Sequence, residues 1–78
     1  MKPFFVLIKC QLGKSYDVAT QLADAEIASE IYSIAGDFDL IVKFYVPDEI
    51  DIGRFVNDQV HHIPGIHDTK TLITFKAF

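Results

Sequence analysis

Two carboxylates crowd the junction Ser33-Ile34-Ala35-Gly36-Asp37-Phe38-Asp39-Leu40-Ile41-Val42, where two apolar runs meet at a glycine and a second acid follows the first by two positions. Gly36 suits a turn position with φ > 0, and Asp37 can hydrogen-bond the local backbone, which is the chemistry of a hairpin turn. That reading leaves Asp39 without work. At the mouth of a β-branched strand its carboxylate can instead face a cationic group on a polar ligand, or the backbone amides of a partner subunit. His61, His62 and His67 are the only imidazoles. The first two are adjacent, so on a helix they point about 100° apart and cannot share a metal ion as an i, i+4 pair can. Just before Pro64-Gly65 they suit a helix C-terminus, near the negative end of its dipole. A general base is the alternative, but no acid or nucleophile is fixed beside them. Cys10 alternates with Ile8 and Leu12 outside any Cys-x-x-Cys pattern, so it reads as an inert buried thiol. The four glycines, at positions 13, 36, 53 and 65, form no phosphate loop. No metal or cofactor is expected.

These groups need elements to hold them. From Phe4 to Leu12 the even positions are all apolar, while the odd ones turn polar at Lys9 and Gln11, a strand with one face fully buried. Gly13 ends it, and Ser15 is a plausible N-cap for a helix carrying the stripe Val18, Ala19, Leu22 and Ala23. Ile27 to Ile34 reads as a second strand. Leu40, Val42, Phe44 and Val46 line one face of a third, opposite Ile41, Lys43 and Tyr45, and Pro47 stops it. Asp48 can cap a second helix through Ile52, Phe55, Val56, Val60 and Ile63, which Pro64-Gly65 breaks. Ile66 to Phe78 alternates as a last strand, with Thr69 and Thr71 on one face. Strand propensity alone explains those threonines, and their hydroxyls can also bond a ligand carboxylate.

The order β-α-β-β-α-β makes an α+β ferredoxin-like sandwich, an antiparallel sheet with both helices on one face. Its other face has no cover within the chain. Phe5, Leu7, Ile41, Tyr45 and one of Leu72 or Ile73 would stand bare there unless a second subunit lay over them. A single domain of 78 residues is close to the size where a lone core gives marginal stability. With one cysteine, disulfides cannot add to it, and a reduced, cytoplasmic setting follows. Oligomerisation remains, and a content of 50% hydrophobic residues suits it. A net charge of -4, with seven dispersed basic residues, disfavours direct nucleic-acid binding. The apolar run at the start is cut by Lys9 and reads as a strand, not a signal peptide, and no run is long enough to span a membrane.

The run Ala35-Gly36-Asp37-Phe38-Asp39-Leu40, then Lys43 and Val46-Pro47-Asp48, and later Ile63-Pro64-Gly65-Ile66-His67-Asp68-Thr69-Lys70-Thr71, resembles the effector domain of Lrp/AsnC-type regulators. The opening Phe-Val-Leu-Ile-Lys fits as well, so the likeness covers nearly the whole chain. It implies a βαββαβ fold, dimers formed through the sheets, and assembly into tetramers, octamers or larger discs. In that family the domain senses amino acids or related metabolites, and a separate helix-turn-helix domain binds DNA. Because the chain opens on the first strand, it is similar to a stand-alone sensor whose effect on transcription passes through full-length partner regulators. Family effectors lie between dimers. The resemblance therefore places Gly36, Asp37, Phe38 and Asp39 at the site, with Thr71, Leu72, Ile73 and Thr74 opposite. On this reading Asp39 would hold the ammonium of a zwitterion, the Gly36 N–H or a threonine hydroxyl its carboxylate, and Phe38 an apolar wall.

Two other functions compete. Small dimeric ferredoxin-like enzymes, monooxygenases and isomerases among them, place a polar group between helices and sheet, where this chain offers Val18, Leu22, Phe55, Val56 and Val60. An assembly module without a ligand is the third reading. A cavity beneath the helices would favour the enzyme, a cleft at Asp39 the sensor, and a closed dry interface there the assembly module.

Overall fold

A computed structural model describes all 78 residues. The elements are β1 (Lys2–Cys10), α1 (Ser15–Asp24), β2 (Glu30–Ser33), β3 (Leu40–Val46), α2 (Ile52–Gln59) and β4 (Ile66–Ile73). The strands form one sheet in the order β2-β3-β1-β4, antiparallel at every step. This is the expected ferredoxin-like layout. No helix is long and apolar enough to cross a membrane.

Alternation decides the core. Phe4, Val6, Ile8 and Cys10 of β1 lie opposite or beside Leu40, Val42, Phe44 and Val46 of β3, and all eight are buried under the helices. Val18 and Leu22 cover them from α1, with Val56, Val60 and Ile63 from α2 and the turn that follows it. Phe4 and Phe44 stack with ring centroids 5.2 Å apart, and Phe55 meets both edge-on at 5.8 and 5.4 Å. Each such pair adds about 0.5–1.5 kcal/mol beyond its area burial. No polar side chain is buried in this core.

Several boundaries differ from the expectation, each for a local reason. β1 stops at Cys10, and Leu12, expected on the buried face, is wholly exposed. The chain turns there, with the Lys14 N–H bonded to the Gln11 carbonyl and Gly13 at φ 77°. Ser15 is the first helical residue and not the cap, since Lys14 holds the cap position without a side-chain bond. β2 is shorter than Ile27 to Ile34, because Ile27 and Ala28 pack against the core from the loop instead of joining the ladder. The cap of α2 is Asp51, whose Oδ1 accepts the Arg54 N–H at 3.2 Å. Asp48 lies in a turn closed by the Ile50 N–H and the Pro47 carbonyl, which delays the helix. α2 ends at Gln59, and Val60 and Ile63 reach the core from a turn.

β4 stops at Ile73, so residues 74–78 leave the sheet, with Phe75 and Phe78 fully exposed. Ile73 is paired with Phe4, and the next residue of β1 is Pro3, which has no N–H for a continuing ladder. The Pro3 carbonyl instead accepts the Thr74 hydroxyl at 2.7 Å.

The other sheet face carries half-buried Phe5, Leu7 and Ile41, with Tyr32, Tyr45 and Leu72 more open. Leu72, paired with Phe5, belongs to this face, while Ile73 belongs to the helix side. Lys43 stands in its midst, its Nζ 3.6 Å from Glu30 and 5.0 Å from the centre of the Tyr45 ring.

Candidate functional site

Asp39 is tied into the sheet at three points. Its N–H donates to the Ile8 carbonyl at 2.9 Å, and its own carbonyl accepts the Ile34 N–H at 2.9 Å. Its carboxylate Oδ2 accepts the Cys10 N–H at 2.7 Å, a charge-assisted bond. The side chain thus replaces a backbone acceptor where β1 leaves the ladder. Oδ1 has no hydrogen-bond partner in the chain.

Asp39 stands between two adjoining clefts. One, of about 330 Å³, opens between the end of β1, the turn at Gly13, and His67. The other, of about 430 Å³, extends toward Tyr16, Ser33 and Ile34. Gly13, Ser15 and Asp39 line both. These volumes fall in the range of small-molecule sites. The first turn of α1 borders both clefts with no side-chain cap, which leaves backbone N–H groups open to an anion. Cys10 forms the floor of the smaller cleft. Burial pushes its thiol up from the ordinary range, the Ser15 hydroxyl opposes that rise, and the charge of Asp39 adds to it. Cys10 is therefore a neutral thiol at physiological pH.

The turn residues stand beside the clefts without lining either. Gly36 has φ 111°, outside the reach of most side chains. Asp37 is exposed, and its carbonyl accepts the Lys9 ammonium at 3.2 Å. The expected hydrogen bond from the Asp37 side chain to the local backbone is not formed. Phe38 is half-buried and forms no wall of either cleft.

The last-strand residues run from the middle of the sheet toward its opposite end. Thr71, Leu72 and Ile73 pair with Val6, Phe5 and Phe4, whereas Asp39 bonds Ile8 and Cys10. Strand rise puts Val6 about 13 Å and Phe4 about 20 Å from Cys10 along β1. One chain therefore does not bring the turn and Thr71, Leu72, Ile73 and Thr74 together, and a site built from both needs a second copy. Thr69 shares the helix-side face with Thr71, and its hydroxyl lies 2.8 Å from His61 Nε2. No group of three or more His, Cys, Asp or Glu side chains is gathered to hold a metal ion.

The sequence reading missed Gln11, Ser15, Tyr16 and His67 as cleft residues. Gly13 looked like punctuation, and only the folded register shows that its turn faces Asp39.

The model of the Lrp/AsnC ligand binding domain matches residues 4–78. The HTH-type transcriptional regulator FL11 of Pyrococcus abyssi is 36% identical over 73 residues, which are 94% of this chain and 48% of that protein. The leucine-responsive regulatory protein of Escherichia coli is 28% identical over 57 residues, 73% of this chain and 35% of the regulator. The chain thus spans about half the length of its FL11 relative, or less for the second. Among solved structures, FFRP-DM1 superposes with a TM-score of 0.87 at 29% identity, covering 96% of this chain and 100% of the other. TTHA0845 from Thermus thermophilus gives 0.89 at 26% identity over 100% and 98% of the two chains. The named relatives are transcriptional regulators, not enzymes. A matched model over residues 4–78, together with this fold, makes the chain a member of the Lrp/AsnC ligand binding domain family.

Proposed function

We propose that the chain is an amino-acid-sensing and oligomerising module that binds its effector at Asp39, between dimers. The observation that carries this reading is the Asp39 carboxylate, fixed by the Cys10 N–H through Oδ2 and open at Oδ1, on the wall shared by two clefts. A fixed carboxylate selects a cationic group such as an ammonium. The uncapped first turn of α1 supplies donors for the other end of a zwitterion. Gly36, Asp37 and Phe38 shape the rim, and Thr71, Leu72, Ile73 and Thr74 of another copy close the site from outside.

Dimers form through the uncovered sheet face, where Phe5, Leu7, Ile41 and Tyr45 need shielding from water, and dimers join further into tetramers, octamers or larger particles. Contact with DNA falls to full-length Lrp/AsnC-type regulators acting as partners, because these 78 residues carry a net charge of -4 and no cluster of basic residues. The work is regulatory, in the cytoplasm. A thermal-shift screen of the twenty amino acids, paired with light scattering, tests the reading. An Asp39-dependent rise in melting temperature with one of them supports it; a particle whose mass and melting ignore all twenty favours the assembly module.

A further inference from the structure

The pairing of β1 with β4 slips by one residue beside the candidate site. Lys9 lies opposite Asp68 and Cys10 opposite Ile66, so His67 is left without a partner on β1. An extra residue of this kind bends its strand and re-aims its own side chain. Here the bulge delivers His67 to the wall of the smaller cleft, which it lines with Lys9, Gln11, Ser15 and Asp39. The imidazole forms no hydrogen bond within the chain, unlike that of His61. The Lys9 ammonium spends one donor on the Asp37 carbonyl at 3.2 Å and has two more. Only Cys10 and Leu12 among its eight lining residues are hydrophobic. Cys10 is its buried floor, and Leu12 is wholly exposed at its lip. A branched aliphatic side chain would leave the donors around it unpaired, whereas an oxygen acceptor would meet the Lys9 ammonium, the Gln11 amide and an imidazole N–H.

We infer that His67, set by the bulge, is a specificity residue, and that with Lys9 it selects amino acids whose side chain ends in a carboxyl or carboxamide oxygen. The inference rests on the effector site proposed at Asp39. Glutamine and leucine are close in size, so the pair isolates the acceptor. Calorimetric titration of the intact protein with L-glutamine, L-glutamate and L-leucine should show both polar ligands binding about tenfold or more tighter than leucine, the discrimination expected of about 1.4 kcal/mol. His67→Ala should weaken glutamine several-fold and leave leucine within about twofold, and His67→Gln, which keeps an N–H donor, should recover part of the loss. Leucine binding as tightly as glutamine, or His67→Ala weakening both equally, overturns the selectivity. If leucine then still depends on Asp39, the effector site itself stands. If no amino acid binds in an Asp39-dependent way, both fall together.

Discussion

The two faces of the sheet begin from similar material and meet different fates. On β1 and β3 the residues Phe4, Val6, Ile8, Leu40, Val42, Phe44 and Val46 are at most 2% exposed under the helices. Their neighbours Phe5, Leu7, Ile41 and Tyr45 are nearly as apolar, yet Tyr45 is 43% exposed and the others are half-buried. Alternation sorts side chains between faces, but it does not supply a cover. The helix face is a finished core, whereas the open face mixes aromatic surface with a single ordered charge group. Tyr32 donates its hydroxyl proton to Glu30 at 2.7 Å, and Glu30 pairs with Lys43 at 3.6 Å. A lysine held by a partner and laid beside the rings of Phe5 and Tyr45 can be covered by a second sheet without becoming an unpaired buried charge.

If the faces differ in this way, the same kind of substitution should break different things on each. Phe44→Ala removes a ring that is 0% exposed and should cost about 3–5 kcal/mol. Urea melts should show a large fall in midpoint, since domains hold only about 5–15 kcal/mol and the smallest sit at the low end. Leu7→Asp, on the open face, should instead act on assembly. Desolvating the new charge should cost several kcal/mol, and sedimentation should find monomer or unfolded chain. An unchanged dimer would show that this face is not the interface.

Smaller effects sharpen the contrast. Asp51→Ala removes the α2 cap and should lower stability by about 1 kcal/mol without changing particle mass. Least of all, acid should loosen the open face. The Tyr32 hydroxyl, with further help from the Lys43 charge, holds the Glu30 carboxyl below its ordinary range. Its contribution is therefore present above the unfolded carboxylate value of about 4.3 and lost as pH falls through the lower folded value. Melting of Glu30→Gln should lack that part of the acid dependence, and an identical pH profile would remove Glu30 from the explanation.

Much of the fold was legible because the even positions from Phe4 to Cys10 and from Leu40 to Val46 are all apolar and Pro47 and Pro64-Gly65 punctuate the chain. The misplaced ends depended on partners far away in sequence. Leu12 continues the apolar alternation of β1, but the Asp39 carboxylate takes the Cys10 N–H and the Gln11 N–H bonds the Gly65 carbonyl. Asp48 and Asp51 are equally good caps by type, and the Pro47 turn chose between them. Asp39 could be singled out because a turn had no use for it. Its attachment to Cys10 could not, nor could the bulge at His67, since register is a property of two strands and one sequence window shows one. The resemblance of Gly36-Asp37-Phe38-Asp39 to a family motif pointed to the whole turn, of which only Asp39 lines the clefts.

The most direct test is calorimetric titration of Asp39→Asn and Asp37→Asn beside the unaltered protein, with the amino acid that raises its melting temperature most. Asparagine in place of Asp39 can still accept the Cys10 N–H, so fold and particle mass should persist while the charge that selects an ammonium is gone. Loss of a charge-assisted bond worth about 1.5–3 kcal/mol should weaken binding roughly ten- to hundredfold, and Asp37→Asn should do less. Binding that survives Asp39→Asn but not Asp37→Asn would contradict the assignment of the two acids, and binding untouched by either would move the site elsewhere.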